Sequence, residues 1–133
     1  MRMLRAVFVV HGLITLAGAV VLMVFPTAIP SAVGITLESA DYLLVYLVAA
    51  AELVVAVLSF GAARLTDRQA LGLIVTTLVV LHLTSGILDL VYMGLTGSGG
   101  TMIANTVLRF TVVVVFVVAW RLSRAHHTPG TNR

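Results

Sequence analysis

The chain has 133 residues, of which 60% are hydrophobic and only 10% are charged. Its mean hydropathy of +1.14 leaves too little polar surface for a soluble domain of this size to cover its core. The sequence contains no cysteine, which excludes disulfides, thiolate metal sites and thiol catalysis.

Four apolar stretches follow one another along the chain, and each is long enough to cross a bilayer core of about 30 Å. They cover residues 4–25, 42–63, 70–93 and 102–120. Backbone polar groups in hydrocarbon must be satisfied within their own segment, so each stretch is predicted to be a helix. The sequence therefore predicts an all-α integral membrane four-helix bundle, formed as one domain by residues 1–125, with a disordered tail at 126–133.

The first span follows Arg2 and Arg5, an arrangement that secretory signals share. Its length, and the lack of a small-residue cleavage site before Pro26, favour a retained span. The connection that follows, "PTAIPSAVGITLESAD", is broken by proline but unusually apolar. It is compatible with a lid over a pocket and with a segment lying in the membrane interface.

The connection between the second and third spans, "RLTDRQ", is short. Its pattern predicts a capping box in which Thr66 is the N-cap residue and Gln69 reaches back. Such a short connection predicts an antiparallel hairpin. The last connection, "GLTGSGG", is a glycine-rich turn.

Every basic residue is an arginine, and their positions predict the orientation of the chain. Outside the spans they precede the first one, lie between the second and third, or follow the fourth: Arg2, Arg5, Arg64, Arg68, Arg121, Arg124 and Arg133. Positive loops remain in the cytoplasm, so both termini are predicted to be cytoplasmic. This placement also argues against nucleic-acid binding, although the isoelectric point is near 10.2. The exclusive use of arginine is typical of a GC-rich genome and points to the inner membrane of a bacterium.

Each span carries polar residues that are costly in hydrocarbon, at about 3 kcal/mol for a charge at the bilayer centre. From the first span to the fourth these are His11, Glu52, His82 with Asp89, and Asn105 with Arg109; Ser85 and Tyr92 share a face with His82 and Asp89. A rise of about 1.5 Å per residue arranges them as a ladder from the outer face to just past the midplane. The economical prediction is a polar cavity that opens to the exterior.

Charge counting distinguishes the two buried carboxylates. Arg109 can neutralise one of them, and Asp89 is nearest to it in depth, so Glu52 is expected to lack a fixed partner. A carboxylic acid of that kind is what a general acid or a proton-coupled carrier requires. In the alternative interpretation, all these groups form one closed network that holds the helices together.

Two further alternatives concern metals. His11 and His82 lie at similar depth on helices that run the same way, an arrangement that suits bis-histidine haem, with Gly12, Gly18 and Gly86 leaving room for it. His82, Asp89 and Glu52 could instead hold a metal ion. The preferred hypothesis needs neither a cofactor nor a metal.

The length, the four spans, the outer connection "FPTAIPSAVGI" and the acids facing a midplane cavity resemble DoxX-like families and, more distantly, sterol-isomerase-type bundles. The second resemblance implies that buried carboxylates, a histidine and an asparagine move protons on a hydrocarbon substrate; Glu52, Asp89, His82 and Asn105 are residues of these types. The stretch "YLVAAAELVVAVLS" is also similar to the glutamate-bearing helix of small multidrug transporters. In those proteins that helix comes first, whereas here it is the second.

The leading functional hypothesis is a membrane-embedded acid/base enzyme acting on an apolar lipid or isoprenoid-type substrate. The reactions considered are isomerisation, proton-initiated cyclisation and epoxide opening. The candidate catalytic residues are Glu52, His82 and Asp89, and the candidate substrate-binding residues are Arg109, Asn105, His11, Tyr92 and Ser85. The alternatives are a proton-coupled small-molecule transporter that uses Glu52 and a structural membrane subunit. Either a single chain or a homodimer could enclose the pocket.

Overall fold

The computed structural model describes residues 1–97 and 99–125, and within these ranges the chain is helical without strands. Its four long helices are α1 (Arg2–Val24), α3 (Tyr42–Ala62), α4 (Arg68–Thr96) and α5 (Gly100–Ala125), and a short helix α2 (Ala28–Ala32) and a 3-10 turn (Ser39–Asp41) lie between α1 and α3. Each of the four long helices is long and apolar enough to cross a membrane. The predicted all-α architecture with four apolar helices is confirmed.

The helices extend past the predicted spans at several ends. The third runs from Arg68 to Thr96 and the fourth from Gly100 to Ala125. Arg121 and Arg124 continue the last helix because arginine is a good helix former and backbone hydrogen bonding does not stop where hydropathy falls. The tail predicted at 126–133 lies outside the described residues.

The prediction that Thr66 caps α4 was wrong, because the N-cap residue is Asp67. The Asp67 carboxylate accepts hydrogen bonds from the backbone N–H groups of Gln69 at 3.0 Å and Ala70 at 3.3 Å. A carboxylate satisfies two free N–H groups at once and places negative charge at the positive end of the helix dipole. A threonine hydroxyl one residue earlier offers neither advantage. At the other end of α4, Gly97 adopts a left-handed conformation with φ of 68°, which favours glycine.

The helices pack as two pairs, α1 with α3 and α4 with α5, and the pairs are joined where α1 meets α5. Helices α3 and α4 barely touch, although only a short turn connects them. The predicted hairpin is therefore connected by a short turn but not closely packed. Three sides of the bundle are closed and the side between α3 and α4 is open.

The apolar core occupies only one half of the bundle. We call the end that carries the arginines at positions 2, 5, 64, 68, 121 and 124 the basic end, and the opposite end the loop end. Eight buried side chains fill the half near the basic end: Leu4, Phe8, Ala62, Leu71, Val75, Leu78, Phe116 and Ala119. A smaller cluster of Leu22, Val45 and Ala49 lies near the loop end. The space between the two clusters contains the polar residues.

Candidate functional site

A cavity of about 490 Å³ lies between the helices in the half of the bundle near the loop end. All four long helices contribute polar side chains to its lining: His11, Thr15, Glu52, His82, Asp89, Asn105 and Arg109. The volume falls within the range of small-molecule sites, which is about 300–1,000 Å³. The predicted convergence of polar residues on a common interior is therefore confirmed.

The segment between α1 and α3 covers this cavity. Its apolar side chains contribute to the lining: Ile29, Pro30, Val33, Ile35 and Leu37. The chain turns back after α2 at Gly34, whose φ of 83° requires a residue without a side chain. The Ile35 N–H then donates to the Pro30 carbonyl at 2.9 Å. Of the two predictions for this segment, the structure supports the one in which it lies over a pocket.

A second cavity, of about 340 Å³, lies between α3 and α4. It shares four polar side chains with the larger cavity, namely Glu52, His82, Asp89 and Arg109. We refer to these four as the shared wall. Leu81 and Leu88, which also line the smaller cavity, are 40% and 60% exposed. The smaller cavity therefore reaches the outer surface on the open side of the bundle, at the middle of the helices.

Asp89 is the most heavily hydrogen-bonded member of the shared wall. Its Oδ2 accepts from Arg109 Nε at 2.9 Å and from Asn105 Nδ2 at 3.0 Å. The Thr106 hydroxyl lies 3.5 Å from the same oxygen. Asn105 and Arg109 are four residues apart on α5, so one helix face presents both donors. The predicted pairing of Arg109 with Asp89 is confirmed, and it holds Asp89 as an ionised anchor.

Glu52 has opposite surroundings. It is half-buried and lines both cavities. Within residues 1–97 and 99–125 its carboxyl group has no hydrogen bond, and the only ion pair there joins Arg109 to Asp89. This is the arrangement expected from charge counting. Glu52 can give up or accept a proton without breaking any bond that holds the fold together.

The two intramembrane histidines are in direct contact at the floor of the larger cavity. Their Nε2 atoms are 2.8 Å apart, and the rings meet edge to face at 85°. The other ring nitrogen of His11, Nδ1, lies 2.9 Å from the hydroxyl oxygen of Ser59. Below them, Phe116 of the apolar core packs against the His11 ring, with ring centroids 5.1 Å apart.

This contact contradicts the haem alternative. The nitrogens that would bind iron are hydrogen-bonded to each other, with no space for an iron atom between them. The spaces beside two of the glycines are also filled. A Cβ atom at Gly12 would lie 2.9 Å from the Phe60 ring, and one at Gly86 would lie 3.0 Å from the Phe110 ring.

The alternative metal site is not formed either. In the part of the chain that the structure describes, no three His, Asp or Glu side chains are close enough together to hold a metal ion. Asp89 turns toward the donors of α5, and His82 turns toward His11. His82, Asp89 and Glu52 therefore share a wall without converging on one point.

The remaining predicted site residues have different positions. Ser85 lines the smaller cavity. Tyr92 is half-buried and lines neither of these two cavities, so its predicted contact with substrate has no support there. His11 is buried with both ring nitrogens engaged by protein groups. It is therefore placed to support His82 rather than to bind a substrate directly.

Sequence analysis missed two polar residues of this region, Ser59 and Thr106. Ser59 is fully buried, and its hydroxyl donates to the Val55 carbonyl at 2.8 Å. It follows Glu52 by seven residues, which is two helical turns and hence the same face. That spacing is a usable signal, although serine and threonine are common in membrane helices for packing alone.

Comparison with protein-family models, curated proteins and solved structures finds no match for this chain. The resemblances to DoxX-like proteins, sterol-isomerase-type bundles and small multidrug transporters therefore stay predictions from the residue pattern. What the site can do has to be inferred from its own geometry.

Proposed function

We propose that the chain is an integral membrane protein of a bacterial inner membrane, with both termini and the α3–α4 turn on the cytoplasmic side. The support is the set of four apolar helices together with the arginines that gather at one end of the bundle. In this orientation the basic end faces the cytoplasm. The segment over the larger cavity then faces the exterior.

Within the membrane, the proposed activity is acid/base catalysis on an apolar lipid or isoprenoid-type substrate. The observation that carries this proposal is the unpaired Glu52 carboxyl on a wall that it shares with His82 and the Asp89–Arg109 ion pair. Proton transfer needs a donor and an acceptor that are not committed to the fold. Glu52 meets that requirement and Asp89 does not.

The groups around Glu52 have complementary roles in this proposal. Glu52 donates or removes a proton, and His82 is the second proton-transfer group. Arg109 uses only its Nε in the described part of the chain, for the bond to Asp89. Its terminal nitrogens are then available to bind an oxygen of the substrate, while Asp89 and Asn105 hold the guanidinium group in place.

The substrate class follows from the walls and the access route. The larger cavity is lined mainly by aliphatic side chains, and the smaller one reaches the surface at mid-helix depth. At that depth the bundle is surrounded by hydrocarbon, so a lipid can enter between α3 and α4. In a water-poor site the proton of a carboxylic acid is a strong electrophile. Double-bond isomerisation, proton-initiated cyclisation and epoxide opening all use such a proton.

One observation favours a second candidate, a proton-coupled transporter. Glu52 borders both cavities, as a carrier residue does when it is exposed to two compartments in turn. The dense apolar core at the basic end opposes this interpretation, because it closes the route toward the cytoplasm. In a purely structural subunit, by contrast, an unpaired glutamate contributes nothing to helix packing.

Deuterium exchange tests the enzyme even though its substrate is unidentified. Purified protein is incubated with a neutral lipid extract of its host membrane in D₂O, and the lipids are analysed by mass spectrometry. Isomerisation or cyclisation places deuterium on carbon, and epoxide opening adds the elements of D₂O. We expect Glu52→Gln to reduce the rate about 100-fold or more, since general acid–base catalysis contributes about 10²–10⁴.

The matched control is Glu38→Gln, the same change at the other glutamate of the chain, which is exposed in the outer segment. It should leave the rate within a factor of two of the wild-type rate. Circular dichroism and thermal unfolding should show that Glu52→Gln still folds. Equal rates for wild type and Glu52→Gln, or failure of the variant to assemble, would contradict the catalytic proposal.

A further inference from the structure

A chain of hydrogen bonds crosses three helices beneath the shared wall, and the proposed activity does not account for it. It runs from the Val55 carbonyl and the Ser59 hydroxyl of α3 through His11 of α1 to His82 of α4. The links measure 2.8, 2.9 and 2.8 Å, in that order. Ser59 is fully buried, and His11 is only 5% exposed. Water therefore does not compete for these bonds.

Counting protons gives the chain a direction. A serine hydroxyl has one proton, and here it is donated to the Val55 carbonyl. The Ser59 oxygen then accepts from His11 Nδ1–H, which leaves Nε2 of a neutral His11 as an acceptor. That nitrogen lies 2.8 Å from His82 Nε2, so the His82 proton must be on Nε2. All three hydrogen bonds are made in this arrangement.

The opposite direction is less favourable. If Ser59 donated to His11, the bond to the Val55 carbonyl would be lost and His82 would carry its proton on Nδ1. Within the described residues Nδ1 of His82 is buried and has no hydrogen-bond partner. The reversed chain thus makes one bond fewer and buries an unsatisfied N–H donor, which is rarer in proteins than an unsatisfied acceptor.

We propose that Ser59 and His11 are positioning residues that keep the His82 proton on Nε2, so that Nδ1 presents a free lone pair as the proton acceptor of the site. This inference rests on the proposed function in one respect, namely that Glu52 is the partner in proton transfer. A proton taken from the substrate bonds to Nδ1, and its former bonding electrons remain on the substrate. The Nε2–H bond to His11 is kept. Glu52 supplies a proton elsewhere, so the net charge of protein and substrate is unchanged.

The tautomer can be measured directly on the full chain by ¹⁵N NMR of histidine-labelled protein in lipid bilayers near neutral pH. A ring nitrogen that carries a proton and one that does not have widely separated shifts. Replacing His126 and His127 with glutamine leaves two of the four histidines. We expect His82 protonated on Nε2, His11 protonated on Nδ1, and a coupling between the two Nε2 atoms. A His82 proton on Nδ1, or an equal mixture of tautomers, would overturn the inference.

Ser59→Ala removes the acceptor for His11 Nδ1–H, so we expect a mixed tautomer for His82 and at least a tenfold loss of deuterium exchange. Ser59→Thr retains the hydroxyl and should restore both. The matched control is Ser123→Ala, the same change at another buried serine, whose hydroxyl bonds to its own helix at Trp120. It should alter neither measurement. A purely structural serine would lower thermal stability while leaving the tautomer unchanged, and that result would contradict the inference.

The two proposals fail separately. The NMR measurement requires no substrate, so absence of deuterium exchange in the wild-type protein would overturn the enzyme while leaving the tautomer measurable. Conversely, deuterium exchange that depends on Glu52 together with a His82 proton on Nδ1 would overturn only the positioning role of Ser59 and His11.

Discussion

Asp89 and Glu52 are both carboxylic acids in the middle of apolar helices, yet their surroundings differ. Asp89 accepts hydrogen bonds from two donors on one face of α5, including Arg109. Glu52 faces the two cavities without such a donor in the described ranges. Removing a partner of a buried charge pair leaves the other charge uncompensated, which costs more than the pair itself contributes. The two acids should therefore respond differently to substitution.

Arg109→Ala is expected to destabilise the protein by about 3 kcal/mol, because it leaves the Asp89 carboxylate in the membrane without its counter-ion. Adding Asp89→Asn should recover part of that loss, since the amide is neutral. Reversible unfolding in mixed micelles measures both free energies, and the double-mutant cycle gives the coupling. As a control, Arg124→Ala on the same helix removes an exposed arginine at the basic end and should change stability by about 0.5 kcal/mol or less. A double variant no more stable than Arg109→Ala would argue against the pair.

At the scale of the elements, the helices were predictable in number and kind but less so at their ends. Hydropathy marks where a helix can lie in hydrocarbon, whereas its end depends on which local group satisfies the free N–H and carbonyl groups. The sequence "LTDRQ" offers two capping residues in succession. The carboxylate of Asp67 prevails because it accepts from two N–H groups of α4.

Asp67→Ala should therefore destabilise the bundle by about 1 kcal/mol, as expected for the loss of an N-cap side chain. Thr66→Ala, one residue earlier, is the matched control and should have little effect. Unfolding free energies of the two variants, measured under the same conditions, test the assignment. A larger loss for Thr66→Ala than for Asp67→Ala would restore the capping box predicted from the sequence.

At the scale of the whole molecule, the bundle is asymmetric from one end to the other. The half near the basic end is packed with side chains such as Phe8 and Phe116, whose ring centroids are 5.4 Å apart. The other half holds the cavity and the segment that covers it. Together with the proposed orientation, this asymmetry makes the protein a pocket closed toward the cytoplasm rather than a channel.

The orientation is testable because the chain has no cysteine of its own. Thr36→Cys lies in the exposed outer segment and Thr66→Cys in the exposed α3–α4 turn. In spheroplasts, a membrane-impermeant maleimide should label Thr36→Cys at once and Thr66→Cys only after the membrane is permeabilised. The reverse pattern would invert the topology, and equal labelling of both in intact spheroplasts would indicate dual orientation.

The histidines show where prediction from sequence stopped. His11 and His82 were placed at similar depth by counting residues, and this depth was correct, since their rings are in contact. Whether they faced a cofactor or each other depended on how α1 and α4 are rotated. Gly12 and Gly86 likewise looked like free space, but Phe60 and Phe110 of neighbouring helices fill it.

The sequence by itself determined the four apolar helices, the end of the bundle that carries the arginines, and the pairing of Arg109 with Asp89 rather than with Glu52. These follow from properties that each residue carries alone, namely its transfer free energy, its charge and its distance along a helix. The tertiary structure alone decided which side of the bundle stays open, that the two histidines bond to each other, and that Ser59 lies against them. Those outcomes depend on helix rotation and on which faces meet, and a helix that is apolar on nearly every side does not specify its neighbours.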